Sequence, residues 1–134
     1  MPGKVGFISA VLGARDPNNV VWQKDLAISN ERLGDMFESD GNPSEAFAAF
    51  ERALETYATL IARFDDHEAR VNSVVPLLRL GGLKGKEGTA DLQRALDILA
   101  ELRDANRLDA MRIEWIPEIE RQIEALRKLD SPAP

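Results

Sequence analysis

A single histidine lies within a run of carboxylates, where His67 follows Asp65 and Asp66 and precedes Glu68. An imidazole held beside a carboxylate can transfer a proton, so these residue types at this spacing could serve general acid–base catalysis. The same types also begin helices, because their side-chain oxygens accept hydrogen bonds from free backbone N–H groups. The residues that follow have helical spacing, and we therefore interpret the cluster as a polar helix entry.

The glycine-rich stretch GGLKGKEGT at residues 81–89 could cradle a phosphate group through its backbone N–H groups. A Walker loop requires a glycine five residues before Gly85 and a hydroxyl group after Lys86. Those positions hold Leu80 and Glu87, and no predicted strand precedes the stretch. We therefore expect an ordinary loop between helices and no nucleotide site.

Four glutamates near the end of the sequence could offer carboxylate oxygens to a metal ion: Glu114, Glu118, Glu120 and Glu124. The chain has no cysteine and one histidine, so these glutamates lack the partners that most transition-metal sites use. Because Arg121 lies among them, we expect a solvated helix face. No catalytic residue, cofactor or metal ion is predicted.

Composition restricts the class of protein further. The 134 residues suffice for one compact domain, and 44% hydrophobic with 30% charged residues is typical of a folded chain that does not span a membrane. A net charge of −6 disfavours binding to nucleic acid or anionic lipid. The apolar opening at residues 4–14 has the outline of a secretory leader but is short and broken by glycine. We expect a helix over residues 1–15 instead, and a cytoplasmic protein.

Apolar residues recur at intervals of three and four from Trp22 onward, which predicts an all-α fold. Gly41 suits the left-handed residue that ends a helix, and Pro43 suits the first turn of the next. Asn42 is the expected cap of that second helix, and Glu45 can reach back to it. The predicted inward residues are Trp22, Leu26, Leu33 and Phe37 in the first helix, and Ala46, Phe50, Ala53, Tyr57, Leu60 and Phe64 in the second.

The rest of the chain has the same character. Pro76 should kink or end the helix that begins near His67, and Thr89 is a plausible cap for the next helix. A final helix is expected over residues 109–129, kinked at Pro117. The predicted inward residues of these last two helices are Leu92, Leu96, Leu99 and Leu102, followed by Met111, Trp115, Ile119, Ile123 and Leu126.

The sequence also contains an internal echo. Residues 52–54 and 94–96 both read Arg-Ala-Leu, and residues 33–34 and 80–81 both read Leu-Gly. Helix pairs that repeat at an interval above forty residues predict an α-solenoid of antiparallel pairs, in which each unit buries its apolar face against its neighbours.

The first unit resembles the tetratricopeptide repeat (TPR) over about residues 28–63. Asn30 and Ala58 depart from the family, which often has tryptophan and proline at these positions. A longer bacterial type of repeat, opened by a stretch similar to Asp16, Pro17, Asn19, Trp22, Gln23, Asp25 and Leu26, accounts for the second departure. The residues that carry the resemblance are Leu33, Gly34, Phe37, Gly41, Ala46, Phe50 and Ala53.

The resemblance implies a single TPR-like domain over residues 1–129, the terminal segment of an array. Its parts are the helix over 1–15, a TPR-like unit over 20–64, a degenerate second unit over 67–105, a capping helix over 109–129, and a disordered tail over 130–134.

In this family the first helix of each pair lines the concave groove where peptides bind, which implies a site at Ile28, Glu31, Asp35 and Glu38. Like charges four residues apart disfavour a helix, so helix stability does not explain Glu31 and Asp35. A solubilising face, partly neutralised by Arg32, is the alternative. The family's clamp for acidic chaperone tails uses lysine and asparagine, so a neutral or basic partner fits better here. We expect lysine at positions 31 and 35 to leave folding nearly intact.

Three functions remain open. The first is a non-enzymatic module that binds a partner peptide or helix in its groove. The second is a structural module that forms a homo-oligomer through apolar ends, with Val5, Phe7, Ile8, Val11 and Leu12 among the contacts. The third is a terminal segment of a larger signalling or enzymatic protein.

Overall fold

The computed structural model describes residues 18–130, and every regular element in that range is helical. The predicted all-α fold is confirmed for these residues. The predicted helix over 1–15 and the predicted tail, apart from Asp130, lie outside them. The α-helices are α1 (Val20–Ser39), α2 (Pro43–Phe64), α3 (His67–Lys84), α4 (Thr89–Asp104), α5 (Ala110–Ile113) and α6 (Trp115–Asp130), with a 3₁₀ turn at Gly85–Gly88.

Contacts along the chain cluster into two compact units, one that reaches to Pro76 and one that begins at Leu77. The boundary falls inside α3, beside the proline that was expected to kink or end this helix. The helix does not end there, because α3 continues through Pro76 to Lys84. Proline lacks a backbone N–H, so the helix loses one hydrogen bond at this position.

In the first unit, α1 and α2 form an antiparallel pair. Contacts move forward along α2 as they move back along α1, since Gly34 faces the Phe50 ring and Ala27 clusters with Leu60. Gly41 has a φ of +76°, a conformation that glycine adopts without strain, and it allows the tight reversal between the helices. The predicted turn is therefore confirmed.

The start of α3 packs against this pair. Ala69 lies in one buried cluster with Ala27 of α1 and with Tyr57 of α2. The helix begins where Asp66 accepts a hydrogen bond from the Ala69 N–H through Oδ1, at 2.9 Å. The small side chains of Ala27 and Ala69 allow the three helices to meet.

In the second unit, α4 packs against α6, and the 3₁₀ turn contacts both helices. The backbones of Gly81 and Gly88 approach so closely that a Cβ on Gly88 would lie 2.0 Å from the Gly81 carbonyl oxygen. Only glycine fits at residue 88, and this contact fixes the turn. The buried apolar residues are Leu77 and Leu80 from α3, Leu92, Ala95, Leu99 and Leu102 from α4, and Ile116, Ile119 and Ile123 from α6.

The buried face of α1 differs from the predicted one. Its buried residues are Ala27, Asn30 and Gly34, whereas Leu33 is 39% exposed. The predicted inward residues Trp22, Leu26 and Phe37 are half-buried. Small residues let α1 and α2 approach closely, so Ala27 and Gly34 decide which side of α1 faces its partner. The larger apolar side chains are left on the flank.

Two other predicted core residues are exposed. Phe64, at 43%, is the last residue of α2 and lies beyond the buried Leu60. Met111, at 63%, belongs to the short helix α5, because the expected final helix is broken at Glu114. Pro117 therefore lies in the first turn of α6, where a missing N–H costs little, and not at a kink. The remaining predicted inward residues of α4 and α6 are half-buried: Leu96, Trp115 and Leu126.

The expected loop at residues 81–89 is helical. α3 extends to Lys84, the 3₁₀ turn follows, and α4 begins directly at Thr89. Thr89 is a helical residue rather than a cap, and its hydroxyl donates a hydrogen bond to the Lys86 carbonyl at 3.2 Å. Asn42 precedes α2 as expected, but its side chain makes no capping hydrogen bond.

Two glycine-to-alanine substitutions test the close approach of α1 and α2. A Cβ at Gly34 would lie 2.6 Å from the Phe50 ring, whereas a Cβ at Gly82, also helical, meets nothing within 4 Å. We expect Gly34→Ala to lower the free energy of unfolding by about 1 to 3 kcal/mol through overpacking. Gly82→Ala should raise it by up to about 1 kcal/mol. Chemical denaturation measures both, and equal changes would contradict the contact.

Candidate functional site

All four residues predicted to bind a partner lie on α1, and the structure separates them by burial. Asp35 and Glu38 are exposed, while Ile28 and Glu31 are half-buried. Residues 31, 35 and 38 follow helical spacing, so their backbone positions share one side of α1 as predicted. The four side chains do not form one uniformly exposed face.

Glu31 takes part in the packing of the first unit. Tyr57 is 1% exposed, and its hydroxyl forms a hydrogen bond with the Glu31 carboxylate. Burial of the phenol raises the pKa of Tyr57, and the negative charge and hydrogen bond of Glu31 raise it further, with a smaller contribution from the Glu68 charge. The Glu31 side chain therefore supports the contact between α1 and α2.

A second polar contact joins α1 to the start of α3. The Lys24 Nζ lies 3.1 Å from Asp66 Oδ2 and 3.2 Å from Glu68 Oε2. Burial disfavours the charged forms of Lys24 and Asp66, but the hydrogen bonds and the attraction between them outweigh this cost. The pKa of Lys24 is accordingly raised, and the pKa of Asp66 is lowered by the Ala69 N–H and by Lys24.

This contact also gives the acidic residues around His67 a structural role. Asp66 caps α3, and Asp65 forms an ion pair with Arg70 at 2.5 Å. The helix starts at His67, as the polar-entry interpretation predicts. The carboxylates in this segment hold α3 in place against α1 and begin its first turn.

The end of α1 has a different electrostatic character. Asp35, Glu38 and Asp40 are exposed there, and the last turn of α1 contains no basic residue. The carbonyl end of a helix carries a partial negative charge, so carboxylates near it destabilise the helix. Glu45, by contrast, lies in the first turn of α2, where a negative charge is favourable. Glu38 and Asp40 thus lie where a negative charge is unfavourable to the helix.

The other candidate sites considered in the sequence are the four glutamates near its end and the glycine-rich stretch, and their described side chains do not form a site. Glu114, Glu118, Glu120 and Glu124 are exposed, and Glu118 forms an ion pair with Arg121. Within residues 18–130, no cluster of three or more acidic or histidine side chains is placed to hold a metal ion. In the glycine-rich stretch at residues 81–89, Lys84 at the end of α3 has its Nζ 2.7 Å from the Asp91 carboxylate, so its ammonium group forms an internal ion pair.

Sequence reasoning missed the roles of Lys24, Tyr57 and Asn30. Asn30 is buried, donates to the Leu26 carbonyl at 3.2 Å and accepts from Arg52 Nε at 3.1 Å. Apart from Asn30 and Leu26, the residues that form these contacts are far apart in sequence, so the spacing of apolar residues carries no information about them. The one available signal was a polar residue at position 30 on the side of α1 that also contains Gly34.

The burial of Glu31 changes the expectation for lysine substitutions. Glu31→Lys removes the acceptor of the buried Tyr57 hydroxyl, so we expect the free energy of unfolding to fall by about 1 to 3 kcal/mol. Asp35→Lys is exposed and should change it by less than about 0.5 kcal/mol. Denaturant titrations of the two variants provide the measurement, and equal stabilities would show that the Glu31–Tyr57 contact contributes nothing.

The lowered pKa of Asp66 predicts an acid-dependent loss of stability. A carboxyl whose pKa is lower in the folded chain stabilises it above the unfolded value, and the effect is lost as the pH falls through the folded value. We expect the free energy of unfolding to decline below pH 3.8, the ordinary value for aspartate. Asp66→Asn should be less stable at neutral pH and show a flatter decline. Asp97→Asn, an exposed change in α4, is the control, and a slope unchanged by Asp66→Asn would contradict the assignment.

Among residues 18–130, no helix has both the length and the apolar character needed to cross a bilayer. Comparison of the chain with protein-family models, with curated proteins and with solved structures gives no match.

Proposed function

We propose that this chain is a non-enzymatic protein-interaction module, a short TPR-like stack of helices that acts in the cytoplasm. Its partner is a peptide or helix of neutral or basic character, bound along the side of α1 that contains Asp35 and Glu38. Ile28 and Glu31 lie beside this strip, and Glu31 contributes to it by holding α1 against α2.

Two features of the packing support a repeated helix pair. In the first unit Gly34 faces Phe50, and in the second unit Gly81 faces Leu92. Phe50 and Leu92 each stand two residues before the Arg-Ala-Leu sequence of their unit. Gly34 and Gly81 each directly follow a leucine. A glycine therefore packs against a large apolar side chain at matching positions of the two similar sequence segments.

The start of α3 provides further support. In a stack of helix pairs, the first helix of a later pair packs on the preceding pair. Ala69 of α3 meets Ala27 and Tyr57 in this manner, and Lys24 joins α1 to Asp66. These contacts favour the TPR-like interpretation over an isolated hairpin.

One observation carries the functional proposal: exposed carboxylates stand at the end of α1, where they weaken the helix. Glu38 lies in the last turn of α1 and Asp40 at its C-cap, where a negative charge opposes the helix dipole, and the last turn contains no basic residue. A partner with positive charge would turn this unfavourable local field into an attractive one and would be guided toward it during encounter. Within the proposed class of neutral or basic partners, this observation favours a basic one.

The double variant Asp35→Asn/Glu38→Gln separates stability from binding. Removing these charges should raise the free energy of unfolding by about 0.3 to 1 kcal/mol. It should also weaken binding of a fluorescent amphipathic peptide of lysine and leucine by about three- to tenfold, with less effect at high salt. Denaturant unfolding and fluorescence anisotropy measure the two quantities.

The matched control is Glu51→Gln/Glu55→Gln, on the exposed side of α2, which changes the net charge equally. The control should retain the affinity of the unchanged chain, and a peptide with glutamate in place of lysine should not bind. Equal weakening in both double variants would reduce the interaction to attraction by net charge. No binding of the lysine peptide by the unchanged chain would contradict the basic partner.

A further inference from the structure

Helix α3 belongs to both compact units of the chain, because the boundary between them falls at Pro76 inside this helix. Proline has no backbone N–H, so Pro76 cannot donate to the Asn72 carbonyl as a helical residue normally does. Nearby, the buried Ser73 donates its hydroxyl to the Arg70 carbonyl at 2.7 Å. A hydroxyl bonded in this way competes with the backbone hydrogen bonds of the helix. The middle of α3 is therefore weaker than an ordinary helix interior.

Each of the two units buries an apolar core of its own. In the first unit, α1, α2 and the start of α3 meet in one buried cluster, whose members are Ala27, Tyr57, Leu60 and Ala69. In the second unit α4 packs against α6, and the residues buried there include Leu99, Ile119 and Ile123. A segment with its own hydrophobic core can open and close as one cooperative unit. The two cores therefore allow two separate unfolding events.

We propose that Pro76 divides the chain into two cooperative units that unfold independently, although α3 runs through both. Small chains normally unfold in a single transition, because the loss of one part removes contacts that hold the other. Here both units share one helix, and its ladder of hydrogen bonds is interrupted at their boundary. Unfolding of the second unit can thus stop at Pro76. This property goes beyond the proposed function, since it keeps the unit that contains Asp35 and Glu38 folded while the other unit opens.

The chain has one tryptophan in each unit, Trp22 in α1 and Trp115 in α6, so the unfolding of each unit can be followed separately. The variants Trp22→Phe and Trp115→Phe each leave a single tryptophan, which is excited at a wavelength that Tyr57 does not absorb. Both tryptophans are half-buried, so their emission changes when their unit unfolds. Circular dichroism of both variants verifies that the helices are retained.

Ala49→Gly in α2 and Ala95→Gly in α4 form a matched pair of perturbations, because both alanines are helical and 0% exposed. Glycine destabilises a helix interior, so each change should lower the midpoint of urea unfolding of its own unit by about 0.5 to 1.5 M. We expect Ala49→Gly to shift the Trp22 transition alone and Ala95→Gly to shift the Trp115 transition alone. Equal shifts of both tryptophan signals would overturn the proposal, because they indicate a single cooperative unit.

Pro76→Ala tests the role of the proline itself. It restores the N–H that α3 lacks, so each glycine variant should then shift the transitions of both tryptophans. The Pro76 ring is buried and its loss also alters packing, so the readout is which tryptophan responds rather than the stability.

Pro117→Ala is the matched control, because Pro117 is exposed in the first turn of α6, where a missing N–H costs little. The two transitions should stay separate in this control. Transitions that also stay separate in Pro76→Ala would overturn the assignment to Pro76. Binding enters none of these measurements, so the proposed function stands or fails separately.

Discussion

The close approach of α1 and α2 is the constraint on which the first unit depends. Gly34 has no side chain, and the Phe50 ring occupies the space that a Cβ would need. On α2, Ala46, Ala49 and Ala53 are fully buried and keep the helices close over several turns. The polar contacts lie along the same interface, since Asn30 meets Arg52 and Glu31 meets Tyr57. Hydrogen bonds tolerate little displacement, so these pairs form only because the apolar contact sets the distance between the helices.

Local sequence signals predicted the helices and the turn between α1 and α2. Contacts between residues distant in sequence determine which side of each helix is buried. Gly41 and Pro43 placed the turn between α1 and α2 correctly, because glycine and proline act on their own backbone. The side of α1 that is buried was mispredicted, because it is set by the fit of Gly34 and Ala27 to another helix rather than by where leucines fall. The glycine-rich stretch was mistaken for a loop because close backbone packing, as between Gly81 and Gly88, leaves no pattern that distinguishes it from flexibility.

The same limits apply to the candidate site. Spacing placed residues 31, 35 and 38 on one side of α1, but it could not show that Glu31 would form a hydrogen bond with the buried Tyr57. Glu31 and Asp35 are one helical turn apart and of the same chemical type, yet Glu31 is half-buried and bonded to Tyr57, whereas Asp35 is exposed. Burial, which only the folded chain defines, separates a carboxylate that holds helices together from one that can meet a partner.

The contact at Tyr57 has a spectroscopic consequence. The chain contains one tyrosine, so its ultraviolet signal belongs to a single position inside the first unit. A phenol and its phenolate absorb differently, and the raised pKa of Tyr57 keeps the buried ring protonated under alkaline conditions that would ionise a solvent-exposed tyrosine. The appearance of phenolate absorption thus marks the opening of the junction between α1, α2 and α3. The molecule carries an intrinsic optical reporter of this junction and requires no added label.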